Sequence, residues 1–398
     1  MWCEIFSMFK RMAFRLTQVF LGLAAGLLLS EFLVGMWFPA GATNRYYPWE
    51  PHLSAVLKPD PAILPGTTSP SHFTINSQGI RGDEFSAAQS YRILAIGGST
   101  TECLYLDDSK VWTRLLQTNL NAAHQPNVWV GNIGKSGLDS RHHIFYMQYF
   151  LPQLSKIDAV VILVGVNDLG HFALETAPEK TTEQIEFSRA FAQIPQMDPP
   201  NAPIYKKTAL WQLGRRIRSA WDEQKQPVRG FVQDAEGKIY AGLRDRRQRA
   251  EITDDLPDLT PMLKAYAGNL NTLVNLAQAQ SVRLIFMTQP SMWALQMSAR
   301  DNALLWQGVS ENPGDLNGPA GHPDRYYSVR ALDRAMAQYN DILLGVCQAR
   351  HVECVDLAKI LPRDTTVFYD DVHFNASGAQ KVADALADYL TQHAPFTP

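Results

Sequence analysis

The sequence predicts an α/β protein: a three-layer α/β/α sandwich on a mainly parallel five-stranded sheet, preceded by one membrane-spanning helix. Three observations predict it. Apolar runs at Tyr91–Gly98, Asn127–Gly134, Asp158–Asp168, Val282–Pro290 and His351–Leu357 are continuous rather than alternating, and helix-compatible stretches separate them. That is the pattern of strands buried on both faces. Small and polar residues gather at the end of each run, where an open α/β sheet places its carboxyl edge and its sites. Finally, Val19–Phe38 is a long apolar run interrupted by Ser30 and Glu31, long enough to cross a hydrocarbon core of about 30 Å.

That segment comes first in the chain. Lys10, Arg11 and Arg15 precede it, Trp37 lies at its far end and Pro39 follows. The basic flank predicts a cytoplasmic N-terminus over 1–18, an anchor over 19–38 and everything beyond on the extracytoplasmic, periplasmic side. Glu31 is the awkward residue, because a carboxylate in hydrocarbon is costly unless protonated, paired or close to the edge. A cleaved signal peptide, with small residues at Ala40-Gly41-Ala42, and a buried soluble helix are the alternative readings.

Residues 39–75 are rich in proline and read as a linker or wrapping segment. Tyr46, Tyr47 and Trp49 point to packing within it. The main domain is expected over 76–398. A helix is expected over Val111–Leu120, an ordinary packing helix over Leu270–Ala277 and a final amphipathic helix over Ala376–Leu390. About 171–260 fits the strand–helix alternation poorly and reads as an insertion, a lid or substrate wall. Its mixed charges around Arg244 to Asp258 read as a solvated helical face. The Gly-, Asn- and Pro-rich loop at 301–325 is a second candidate for the substrate wall.

Apolar residues are 46% and charged residues 19%, a globular rather than a disordered balance. A net charge of −3 gives no field that would gather nucleic acid, and no nucleic-acid partner is expected. The four cysteines, Cys3, Cys103, Cys347 and Cys354, form no CxxC and no zinc spacing, so no metal is expected. Cys347 and Cys354 could pair in an oxidising compartment, or serve as two small buried apolar residues.

The chemistry gathers in four blocks. Gly97-Gly98-Ser99-Thr100-Thr101 ends the first strand, and its glycines allow a tight turn that exposes a serine at a helix start. Ser-Thr is equally a helix cap. Asn132-Ile133-Gly134-Lys135-Ser136-Gly137 ends the second strand with backbone donors. Gly165-Val166-Asn167-Asp168 ends the third, where Asn167 can donate to an oxyanion and Asp168 can cap or orient loops. In Tyr369-Asp370-Asp371-Val372-His373, a carboxylate three residues before a histidine can fix its tautomer and leave the other nitrogen to take a serine proton. A packing or capping histidine is the plainer reading.

In this order the four blocks resemble the SGNH hydrolase superfamily, the GDSL-like lipases and esterases, over roughly 91–175 and 280–392. The resemblance implies the flavodoxin-like fold of that superfamily, a bacterial type with a membrane anchor, and serine ester hydrolysis without a cofactor. Carried over by match, Ser99 is the nucleophile, His373 the base and Asp370 its orienting carboxylate. The oxyanion hole comprises the Ser99 and Gly137 N–H groups and the Asn167 amide, with Gly134 as the fallback for Gly137; Asp168 and Gly98 are supporting residues. Gly98 departs from the family, which usually carries an acidic residue there.

The implied reaction is acyl transfer through acyl-Ser99, from an O-acylated envelope glycan or another small-molecule or envelope ester. A sugar hydroxyl in place of water would make the protein an O-acyltransferase. An inactive glycan-binding or assembly protein and a phosphodiester hydrolase are the other readings. A nucleotide-binding domain lacks both GxGxxG and a Walker lysine.

Overall fold

The computed structural model describes residues 2–37, 45–86, 88–123, 127–174, 183–192, 203–211, 213–215, 217–218, 234–310, 325–393 and 395. The chain divides into two compact units, Met1–Arg45 with Gln193–Gly230, and Tyr46–Ala192 with Phe231–Pro398.

The larger unit carries the five-stranded sheet. Strands β1 (Ser54–Leu57) and β2 (Ser71–Thr74) first form a short antiparallel hairpin. The main sheet comprises β3 (Tyr91–Gly97), β4 (Val128–Asn132), β5 (Ala159–Leu163), β7 (Arg283–Met287) and β9 (Glu353–Val355). Its order is β4-β3-β5-β7-β9 and every pairing is parallel. Between β5 and β9 in the chain, β6 (Glu251–Thr253) and β8 (Arg325–Tyr327) pair in parallel outside the main sheet.

The chain moves outward from β3 to β4, then back across β3 to β5. Right-handed crossovers therefore put the intervening helices on opposite faces. Trp112–Ala123 packs against Ala376–Thr391, and Thr260–Ala279 against Val329–Arg350, giving the two helical layers. The switch in direction at β3 opens a crevice at its carboxyl end. In β5 all five side chains are buried, which explains its uninterrupted apolar run.

Residues 46–75 contribute Trp49, Leu57, Leu64 and Phe73 to a buried cluster with Tyr105 and Tyr369. Residues 38–44, with the small-residue stretch Ala40-Gly41-Ala42, lie outside those described. The helix expected over Leu270–Ala277 runs from Thr260 to Ala279.

The expectation that Arg244 to Asp258 would be a solvated face is corrected in part. On the helix Lys238–Arg249, Arg244 and Arg247 are each only 7% exposed. Arg244 donates to the carbonyls of Leu304, Ile63 and Tyr369 at 3.0, 2.5 and 3.0 Å, and Arg247 to those of Gln307 and Tyr327 at 2.5 and 2.9 Å. The fork of guanidinium donors satisfies loop carbonyls that would otherwise be buried without partners. Asp245, Gln248 and Arg249 of the same helix do face solvent. Cys347 and Cys354 form a disulfide, with Cα atoms 6.2 Å apart.

In the smaller unit, one helix runs from Trp2 to Trp37. Phe14–Trp37 is apolar and long enough to cross a membrane, and none of its most apolar window is buried in protein. The Glu31 carboxylate accepts the backbone N–H groups of Ala209 and Leu210.

Candidate active site

The crevice at the end of β3 begins with Gly97 and Gly98, followed by a single helical turn, Ser99–Glu102. A Cβ on Gly97 would lie 2.1 Å from Thr101 Oγ1, so only glycine lets the turn close against the strand. That closure leaves Ser99 half-exposed at the head of the turn.

From the far end of the domain, the loop after β9 brings His373 to the same point. His373 Nε2 lies 2.7 Å from Ser99 Oγ, and its Nδ1 lies 2.7 Å from Asp370 Oδ2. Asp370 is fully buried. Its Oδ1 accepts the backbone N–H groups of Val372 and His373 at 3.0 and 2.9 Å, and its Oδ2 accepts Trp306 Nε1 at 2.9 Å. Asp371 points elsewhere, accepting Trp293 Nε1 and the N–H groups of Trp306 and Gln307 at 2.8, 2.8 and 3.2 Å.

These contacts set the charges. Burial acts to lower the pKa of His373, but the Asp370 charge and hydrogen bond, with the Asp371 and Glu102 charges, outweigh it and raise it. Burial acts to raise Asp370, and the charge and hydrogen bond of His373 outweigh it, holding the carboxyl below its ordinary value. Ionised Asp370 is thereby poised to stabilise a positive imidazolium on His373.

The remaining blocks frame Ser99. Gly137 has φ +77° and open space where a side chain would project. Neither its N–H nor that of Ser99 meets an acceptor among the described residues. The fallback, Gly134, is already engaged: its N–H donates to Asn132 Oδ1 at 2.8 Å, and its carbonyl accepts Trp49 Nε1 at 3.1 Å. Asn167 Nδ2 donates one hydrogen to the Leu138 carbonyl at 2.7 Å, leaving the second amide hydrogen for the crevice. Gly98 explains its own departure from the acidic residue: a Cβ there would stand 2.2 Å from Asn167 Nδ2.

Asp168 lies behind the site rather than in it. Its carboxylate accepts the Ser140 hydroxyl and, at 3.3 Å, the Ser140 N–H. Burial and the nearby Asp139 charge push it up to about 8.

Several residues of the site are not in the four motifs. Glu102, one turn after Ser99, is 2% exposed and accepts the Ser136 hydroxyl, next to Gly137. Burial raises its carboxyl. Trp306 and Tyr240, both half-buried, stand beside His373 with ring centroids 6.5 and 6.2 Å from its imidazole. Trp306 falls in the loop that composition singled out, whereas nothing in the local sequence marks Tyr240. Residues 311–324 of that loop lie outside those described.

Three solved structures illustrate the likeness. An enzyme described as an alpha/beta hydrolase from the metagenome of Lake Arreo, Spain, is 16% identical at a TM-score of 0.38, over 76% of this chain and 95% of its own. An acetylxylan esterase from Geobacillus stearothermophilus is 15% identical at 0.37, over 76% and 95%. A lipase/acylhydrolase from Enterococcus faecalis is 15% identical at 0.38, over 76% and 96%. No curated protein matches the sequence. The profile of the GDSL-like Lipase/Acylhydrolase family matches residues 95–381, from β3 to the last helix, and the chain belongs to that family of serine ester hydrolases.

Proposed function

We propose that Ser99 is the nucleophile of a membrane-anchored, extracytoplasmic esterase that acts on O-acylated envelope glycans. The observation that carries this is the unbroken chain from Ser99 Oγ through His373 to Asp370, with both links at 2.7 Å.

In the first step Ser99 Oγ attacks the ester carbonyl while His373 Nε2 takes its proton. Asp370 holds the Nδ1–H and stabilises the imidazolium. The developing oxyanion is received by the Ser99 and Gly137 N–H groups and the Asn167 amide. His373 returns the proton to the departing alcohol, and water then releases the acyl group from Ser99 by the reverse sequence.

The basic residues Lys10, Arg11 and Arg15 at the N-terminal end of the span Phe14–Trp37 support an orientation with the catalytic unit outside. The disulfide between Cys347 and Cys354 fits an oxidising compartment. The Trp306 ring lies parallel to the His373 imidazole and Tyr240 stands edge-on to both, so Trp306 offers the aromatic face beside His373 against which a sugar ring can rest.

A fluorophosphonate probe with intact-mass readout tests the nucleophile. One adduct is expected on the full-length protein, absent in Ser99→Ala and strongly slowed in His373→Ala. A folded protein that takes no adduct would sink the proposal. Acetate release from acetylated glycans, set beside hydrolysis of long-chain lipid esters, tests the substrate class. Turnover of the lipid esters alone would overturn the glycan reading and leave the serine mechanism standing.

A further inference from the structure

Glu31 stands in the apolar part of the N-terminal helix, six positions before Trp37. At about 1.5 Å per residue that is roughly 9 Å below the aromatic end of the span. Its carboxylate does not go unpaired. It accepts the backbone N–H groups of Ala209 and Leu210, the latter at 3.0 Å, where the chain turns helical. First-turn N–H groups lack intrahelical partners, and their partial positive charge favours a carboxylate. Ala209 is fully buried, and a Cβ on Gly35 would lie 3.9 Å from its methyl, so the two segments touch through small residues.

The rest of this segment is unlike a soluble surface. Tyr205, Trp211 and Ile217 are 51, 41 and 55% exposed. The rings of Tyr205 and Trp211 pack edge to face at 5.1 Å. Lys206, Arg215 and Arg218 lie among them in the sequence. Aromatic and aliphatic anchors interleaved with cations suit a headgroup boundary, where such elements settle about 5–10 Å deep. The depth set by Glu31 falls in that range.

We infer that the described residues of this segment, 203–211, 213–215 and 217–218, form an interfacial foot, seated in the outer boundary of an anionic phospholipid bilayer and tied to the spanning helix by the Glu31 carboxylate. The inference rests on the reading of Phe14–Trp37 as a membrane span. It gives the awkward carboxylate a purpose: Glu31 fixes how deeply the foot lies.

Nitroxide depth measurements on the full-length protein, in nanodiscs containing an anionic phospholipid, test this. In a Cys3→Ser background, labels are placed at Leu27→Cys, Ile217→Cys and the solvent-facing Gln248→Cys; Cys103 is buried and the other two cysteines are bonded. Oxygen collisions should dominate at 27, prevail at shallower depth at 217 and yield to a water-soluble relaxer at 248. Adding Glu31→Leu should move the 217 label toward water and leave the 27 label in lipid.

A water-like label at 27 would overturn the span and the foot together. A lipid-like label at 27 with a water-like label at 217 would overturn the foot alone. Shielding of 217 from both relaxers would mean a protein partner instead of lipid, and also overturns it. An unchanged depth at 217 in Glu31→Leu would refute the tie.

Discussion

Gly98→Ala is expected to disable one oxyanion donor while leaving the Ser99–His373–Asp370 chain in place. A methyl at position 98 would stand 2.2 Å from Asn167 Nδ2 and 3.1 Å from the Leu138 carbonyl. Restoring ordinary contact requires the Asn167 amide to withdraw by about 1 Å. It has no slack for that movement, because the same nitrogen is tied to Leu138 at 2.7 Å. The φ of Gly98 is negative, −88°, so alanine meets no left-handed strain there and the amide of Asn167 is the main obstacle. Loss of one such donor typically lowers kcat by about 10²–10³-fold, or about 2.7–4 kcal/mol.

Asn167→Ala should produce a loss of the same size, and Gly98→Ala in that background should add little, because the methyl then meets no amide. The coupling in the cycle should therefore approach the whole single-variant effect. The assay is kcat/KM on a short-chain ester for the four proteins, each checked by its melting curve. Wild-type kcat/KM in Gly98→Ala, or losses that multiply in the double variant, would refute the reasoning.

Three other perturbations follow from the same geometry. The acid limb of kcat/KM should lie above the ordinary histidine value of about 6.5, because His373 is raised and only its neutral form accepts the Ser99 proton. Activity is then lost as pH falls through that raised value. Asp370→Asn should move the limb down and lower kcat on the order of 10⁴-fold, and a limb already at or below 6.5 in the parent would contradict the assignment. Ser136→Ala takes the hydroxyl from the buried Glu102 carboxyl and should cost about 1–3 kcal/mol of unfolding free energy in a denaturant titration, with reduced kcat as the Gly137 loop loosens. Arg244→Met strands three carbonyls and should lower stability on the order of 3 kcal/mol; an unchanged unfolding midpoint would show that these hydrogen bonds contribute nothing to stability.

Much of this was legible because the main sheet is buried on both sides. Strands β3, β4 and β5 are buried along almost their whole length and leave apolar runs that stop where the chain leaves the core. Strands β7 and β9 each begin on a half-buried charge, Arg283 and Glu353, and these two pair with one another. The residues beyond those stops carry the site because they share the carboxyl edge. The sheet order was not legible, since parallel register is set by crossovers between distant segments. Nor was the β1–β2 hairpin, whose two strands have four residues each and lie in a stretch dominated by proline. Arg244 and Arg247 misled for a different reason. Charge in a sequence reads as solvation, yet a guanidinium can be buried when loop carbonyls surround it. Those carbonyls belong to residues up to 181 positions away, beyond the reach of any local pattern.

The adjacent carboxylates Asp370 and Asp371 show what that buried arginine layer does for the site. Two full negative charges side by side in the interior are unfavourable, and the imidazolium needs only one. Asp370 collects four donors and is held low by His373. Burial and repulsion from Asp370 push Asp371 upward, opposed by the Arg247 charge. Trp306 binds both, its indole N–H to Asp370 and its backbone N–H to Asp371, while Arg244 and Arg247 hold the carbonyls on either side of it at Leu304 and Gln307. The helix Lys238–Arg249 thus braces the chain on both sides of Trp306 and, through Arg244, the Tyr369 carbonyl beside Asp370. Loosening that helix should reach Asp370 through its indole partner before it reaches Ser99.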